Sequence, residues 1–147
     1  MNTILLVCIG NICRSPVAAA LLKRHFPDKA VHSAGISALV GRPAHATAQE
    51  IALAQGLDLS GHRARQVTES MCSDADLILV MESHQQRELA TRYPLARGKI
   101  RCLGETQDGK LLEIADPYRR PREAFEQAHA AIQSGIDNWV RRIRRIG

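Results

Sequence analysis

The sequence predicts an α/β fold in which helices cover a parallel sheet, and three observations carry that reading. Short apolar runs alternate along the chain with longer stretches of helical periodicity, the pattern of strand–helix–strand units. The 147 residues, 45% of them hydrophobic, suffice for one buried core and leave little room for a second, so one domain is expected over 1–147. No run of 18 apolar residues occurs, which argues against a membrane span and assigns the apolar runs to a protein interior.

Thr3 to Cys8 is a short, partly β-branched apolar run and reads as a buried strand. Pro16 to Phe26 follows as a helix. Pro16 stands at the first helical position, where its missing N–H costs nothing, and Ser15 is placed to cap it. Ala30 to Ser33 reads as a second short strand. Ala46 to Gln55 has helical periodicity and stops at Gly56. Leu77 to Met81, bounded by Asp76 and Glu82, is the third strand and the most apolar. Ser83 to Arg92 is a helix that ends before Tyr93-Pro94, and Ile100 to Leu103 is a fourth strand. Arg122 to Ile146 closes the chain as a long helix, with Phe125, Ile132, Ile136, Trp139, Val140 and Ile143 at helical spacing.

Charge and cysteine usage narrow the function classes. The net charge is +5, and 16 of the 20 basic residues are arginine, which suits bidentate recognition of phosphate or carboxylate. Arg141, Arg142, Arg144 and Arg145 crowd the last seven residues and read as a solvated helix end that complements the dipole. Two Phe, two Tyr and one Trp are too few for aromatic stacking on nucleic acid, and no nucleic-acid partner is expected. The opening run from Ile4 to Ile9 lacks a basic segment before it and meets Asn11 and Arg14 too soon for a secretory signal. Cys8, Cys13, Cys72 and Cys102 therefore read as thiols of a reducing cytoplasm. Their spacing matches no metal-ligand pattern, and no metal or other cofactor is expected.

Ligands of parallel sheets bind beyond the carboxyl ends of the strands, and the first strand ends at Cys8. There the chain reads Cys8-Ile9-Gly10-Asn11-Ile12-Cys13-Arg14-Ser15-Pro16. A Cys and an Arg six positions apart are a weak signal alone. Between a buried strand and a helix start they are a strong one: the loop amides can converge on one centre, the helix end adds positive potential, and Arg14 adds a bidentate fork. The same field favours a thiolate on Cys8, a nucleophile aimed at a bound phosphorus. Gly10 supplies the freedom a tight loop around an anion needs. The plain alternatives are a buried structural cysteine and a solvated arginine. A Walker loop is excluded because no Gly-Lys-Ser/Thr follows. Asp116-Pro117-Tyr118 is a second candidate. Pro holds Asp116 out of helical geometry, and one projecting carboxyl can act as acid and then as base, although an exposed turn Asp is the commoner role.

Together these segments resemble the low-molecular-weight protein tyrosine phosphatases. Cys8 to Pro16 matches that family's phosphate loop, and Ser33-Ala34-Gly35, His62-Arg63-Ala64-Arg65 and Asp116-Pro117-Tyr118 recur in the family in the same order. The resemblance implies a four-stranded parallel sheet flanked by helices, with the phosphate-binding loop between the first strand and first helix. It implies that Cys8 attacks phosphorus, Asp116 protonates the leaving phenol and then activates water, and Arg14 and the loop amides hold the phosphate oxygens. Ser15 would donate to the sulfur, while Asn11, Ser33 and His62 would fix the loop. Leu39, Val40 and Tyr118 are expected to flank the phenyl ring. Cys13 is expected to approach Cys8 and to capture it as a disulfide after oxidation.

Ser33 to Gly41 resembles the bacterial branch associated with capsule and exopolysaccharide export. Leu39 falls where eukaryotic relatives carry a large aromatic, and Arg119 where they often carry a second Tyr. The resemblance implies a phosphotyrosine protein as substrate, a membrane tyrosine autokinase as partner, inorganic phosphate as product, and a monomer that does not insert into membranes. Three other readings stay open here. An arsenate reductase on the same loop needs further thiols about seven residues apart, whereas Cys72 and Cys102 are 30 apart. A protein-arginine phosphatase would carry Thr at Ile12. A phosphate or nucleic-acid binder would use the +5 charge without chemistry.

Overall fold

Alternate side chains of β1 (Thr3–Cys8) enter two different cores, which is why its sequence is a continuous apolar run rather than an alternating one. The computed structural model describes residues 1–146. β1 is an inner strand of a four-stranded parallel sheet ordered β2-β1-β3-β4, with β2 at Ala30–Gly35, β3 at Leu77–Val80 and β4 at Ile100–Cys102. Ile4, Leu6 and Cys8 pack with α1 (Ser15–His25), α2 (Ala46–Ala54) and α5 (Arg122–Ile146). Leu5 and Val7 face the other way, toward α3 (Glu69–Asp74), α4 (Ser83–Arg92) and a 3-10 segment at Pro94–Lys99. Among the described residues, no helix is long and apolar enough to cross a membrane.

The elements expected from periodicity all form, within one or two residues at their ends. α3 and the 3-10 segment were not expected. Six residues that bury only Cys72 cannot display a helical repeat, and α3 is held instead by Thr68, whose Oγ accepts the Met71 N–H at 3.2 Å. β2 runs two residues past Ser33, so that Gly35 pairs with Cys8. A Cβ on Gly35 would stand 2.4 Å from the Ile9 carbonyl oxygen, so this glycine lets the end of β2 lie against the loop after β1. The C-terminal arginines are not uniformly solvated. Arg142 stacks over Trp139 at 3.9 Å and donates to Glu105, whose carboxylate also receives Arg101, while Trp139 Nε1 donates to the Cys102 carbonyl. Arg142 thus ties α5 to the end of β4 through packing as well as charge.

The strand order sets the location of the site. From β1 the chain passes to one side for β2 and later to the other side for β3, so a crevice opens where the two crossings diverge, beyond Cys8 and Val80.

Candidate active site

Residues 9–14 curl between β1 and α1, and their backbone donors are left without protein partners. Among the described residues, the N–H groups of Gly10 to Arg14 meet no backbone or side-chain acceptor. The expectation that Ser15 caps α1 fails for an informative reason. Arg14 occupies the cap position, and no side chain caps the helix. The Ser15 hydroxyl is engaged elsewhere, 2.9 Å from Cys8 Sγ, while it accepts Asn11 Nδ2 at 2.8 Å. An uncapped, positively polarised helix start with free amides is a cradle for an oxyanion.

Asn11 holds the curl. It is fully buried with φ at 59°, a left-handed conformation that Asn tolerates better than most residues. The freedom expected of Gly10 is therefore taken up by Asn11, and Gly10 has no positive φ. Asn11 Nδ2 donates to Ser15 and Ser33, and its Oδ1 accepts the Arg65 N–H at 2.9 Å. Its carbonyl accepts His62 Nε2–H at 2.6 Å, which fixes the ring tautomer. Desolvation of the half-buried ring, with Arg63 and Arg65 beside it, holds His62 below the usual histidine range despite that bond, so a neutral donor supports the loop. All four residues expected to support the loop lie in this one network.

Arg14 is 1% exposed, and its Nη1 is anchored by Glu82 Oε1 at 2.6 Å and by the Ile114 carbonyl at 2.7 Å. Nη2 lies 3.6 Å from Asp116 Oδ2. Glu82 lies two residues past the end of β3 and Gln85 accepts its N–H, so the partner of Arg14 comes from the strand across the crevice. A cavity of about 130 Å³ opens above the sulfur, lined by the loop with Ser37, Leu39, Asp116 and Tyr118. Val40 does not line it and is 68% exposed. Cys13 lines it from within the loop, with its thiol buried and pushed up to about 12, first by burial and then by the charges of Cys8 and Asp116. Cys72 and Cys102 lie in the core on the opposite face of the sheet from Cys8, so they cannot serve as its relay thiols. The arrangement can bind a tetrahedral oxyanion over a sulfur nucleophile, with a half-exposed carboxyl at the mouth.

Residues 3–146 match the family model described as low molecular weight phosphotyrosine protein phosphatase. The chain belongs to this family. A Ralstonia nicotianae protein named as a probable low molecular weight protein-tyrosine-phosphatase, EpsP, is 51% identical over all of this chain and 99% of its own. The Escherichia coli phosphatase Etp is 41% identical over 98% of this chain and 96% of its own. Among solved structures, Vibrio vulnificus Wzb in complex with benzylphosphonate superimposes with a TM-score of 0.91 at 41% identity, covering 96% and 98% of the two chains. The YwlE arginine phosphatase from Geobacillus stearothermophilus gives 0.92 at 32% identity, covering 99% and 94%. Sequence reading missed Glu82, Ser37 and the Ile114 carbonyl as parts of the site. Glu82 alone carried a signal, an acid placed directly after a buried parallel strand.

Proposed function

We propose that this chain hydrolyses phosphotyrosine in proteins in two steps through a phosphorylated Cys8. The unpartnered loop amides around a sulfur, with Arg14 fixed beside them, carry this reading. In the first step Cys8 Sγ attacks phosphorus in line, an S–P bond forms, and the P–O bond to the phenol breaks as Asp116 gives its proton to the departing oxygen. In the second, the Asp116 carboxylate takes a proton from water, whose oxygen attacks phosphorus. The S–P bond breaks, and the Ser15 hydroxyl stabilises the returning thiolate. Because Nη1 of Arg14 is held by Glu82 and Ile114, Nη2 and Nε are left to follow the phosphate oxygens, where charge spreads in the transition state. Leu39 and Tyr118 wall the aryl group. Inorganic phosphate is the product, and the steps use no cofactor. The physiological substrate is a membrane tyrosine autokinase of polysaccharide export, met in the cytoplasm by a monomer. The likeness of Ser33 to Gly41 to the capsule-associated branch supports this.

Hydrolysis of an aryl phosphate without added metal tests the reading, with a phosphoarginine peptide as the competing substrate. Cys8→Ser should keep phosphate binding and lose essentially all turnover, and residual activity above a few per cent would remove Cys8 as nucleophile. Asp116→Asn should slow poor leaving groups by about 10²–10⁴ and very acidic phenols much less. Equal losses across the series would contradict the acid role. Faster turnover of phosphoarginine would overturn the tyrosine assignment.

A further inference from the structure

The turn that carries Asp116 contains a residue in a conformation that its side chain disfavours. Asp116 Oδ1 accepts the Tyr118 N–H at 3.0 Å, and the Arg120 N–H donates to the Pro117 carbonyl at 2.9 Å, closing a tight turn over residues 117–120. Its third residue, Arg119, has φ at 65°. Glycine occupies such a position without strain, whereas a residue with a Cβ does not. An arginine held there against its preference points to function.

No ion pair explains it, because among the described residues Arg119 has no acidic partner. Its guanidinium instead stands 5.3 Å from the centre of the Tyr118 ring, and Tyr118 lines the cavity over Cys8. The left-handed turn thus sets an exposed cation at the cavity rim. Arg120 beside it is exposed and also lacks an acidic partner. So does exposed Arg42, which closes the turn that begins at cavity-lining Leu39. Neighbouring cations are engaged: Arg122 with Glu50 and Glu126, Arg63 with the Ser60 and His62 carbonyls, Arg65 with the Ser33 carbonyl. Asp116 is the one acid among the residues lining the cavity, and Glu82 behind it holds Arg14. Three uncompensated guanidinium groups remain on the two loops that wall the aryl pocket.

We propose that Arg119, with Arg42 and Arg120, is a specificity-determining rim that selects phosphotyrosines flanked by aspartate or glutamate. The proposal rests on the phosphotyrosine reading above and names the substrate class of that site. Exposed charge pairs are individually weak, so the rim is worth about five- to tenfold in kcat/KM between acidic and neutral sequences. Screening should erode that preference as salt rises.

The test compares two phosphotyrosine peptides, one with Glu and one with Gln at the flanking positions, alongside a plain aryl phosphate. Wild type should favour the Glu peptide about five- to tenfold at low salt, and less at 0.5 M. Arg119→Gly removes one cation while suiting the left-handed backbone, so it should fold at least as stably and lower the ratio. Arg119→Glu should bring the ratio close to one. A wild type without preference, a ratio that survives both variants, or a variant that slows both peptides equally would each overturn the rim. Failure of the wild type to hydrolyse even the aryl phosphate would sink the phosphatase reading itself. Aryl phosphate turnover without peptide preference would sink only the rim.

Discussion

Cys13 shares the cavity with Cys8, and its own thiol is hard to ionise, since burial and the neighbouring charges of Cys8 and Asp116 raise it. Its proposed protective role depends on how oxidation changes that balance. Peroxide converts the Cys8 thiolate to a sulfenic acid and is itself reduced to water or hydroxide. The negative charge that was the second cause of Cys13's raised value is then gone, while Arg14 still favours its thiolate. Cys13 can condense with the sulfenic acid, forming an S–S bond and releasing water, and dithiothreitol then returns both thiols. After brief peroxide treatment and reduction, wild type should recover most of its activity and Cys13→Ser much less. Equal recovery would leave Cys13 as a packing residue. At this scale the sequence pointed to residues that the structure brings together around one cavity, but not to their conformations. Gly10 was an obvious candidate for the strained position, yet Asn11 takes it, because only Asn can both adopt φ near 59° and supply donors to Ser15 and Ser33. That choice depends on β2 lying beside the loop, and no local pattern encodes it.

α5 was the most legible element, since Phe125, Ile132, Ile136, Trp139, Val140 and Ile143 repeat at helical spacing and all are buried. His129 lies in the same stripe and was overlooked because a histidine does not mark an apolar face. It is 5% exposed, and neither ring nitrogen has a hydrogen-bond partner. Its ring borders a cavity of about 10 Å³ beneath the phosphate loop, together with Cys13, Val17, Ile51, Pro117 and Phe125. No carboxylate lines that space, so a proton on the ring would be uncompensated, and burial lowers its pKa. Below about pH 6.5 the unfolded chain takes up a proton more readily than folded His129 does, so stability is full above that pH and falls as the pH drops. Urea unfolding at pH 7.5 and 5.5 should show His129→Leu losing less stability than wild type between the two. An identical loss would place the acid sensitivity elsewhere, for instance at His62, which is also held low.

Across the whole molecule, the sheet brings to one end groups that are far apart in sequence: Cys8 at the end of β1 and Arg14 after it, Glu82 after β3, Asp116 before α5. Alternating strands and helices were enough to predict the crevice beyond Cys8. They did not give the order β2-β1-β3-β4, and without it the meeting of Arg14 with Glu82 and Ile114 was not derivable. The same convergence leaves a buried guanidinium beside a row of unpartnered amides, so on the proposed reading native folding assembles an anion site that the unfolded chain lacks. Stability should therefore be linked to phosphate. At a concentration one hundred times its dissociation constant, a ligand specific for the folded state adds about 2.7 kcal/mol, or roughly 5–10 °C in Tm for a chain this size. Cys8→Ser should keep that increment, since the amides and Arg14 remain. Arg14→Lys should lower the starting Tm, because an ammonium cannot satisfy Glu82 and Ile114 while reaching the anion as a planar fork, and it should lose most of the phosphate increment as well. Thermal unfolding over a phosphate series, at constant ionic strength set with chloride, separates the two effects. A wild-type Tm that stays flat through tens of millimolar phosphate would mean that the loop, however well formed, is not an anion cradle.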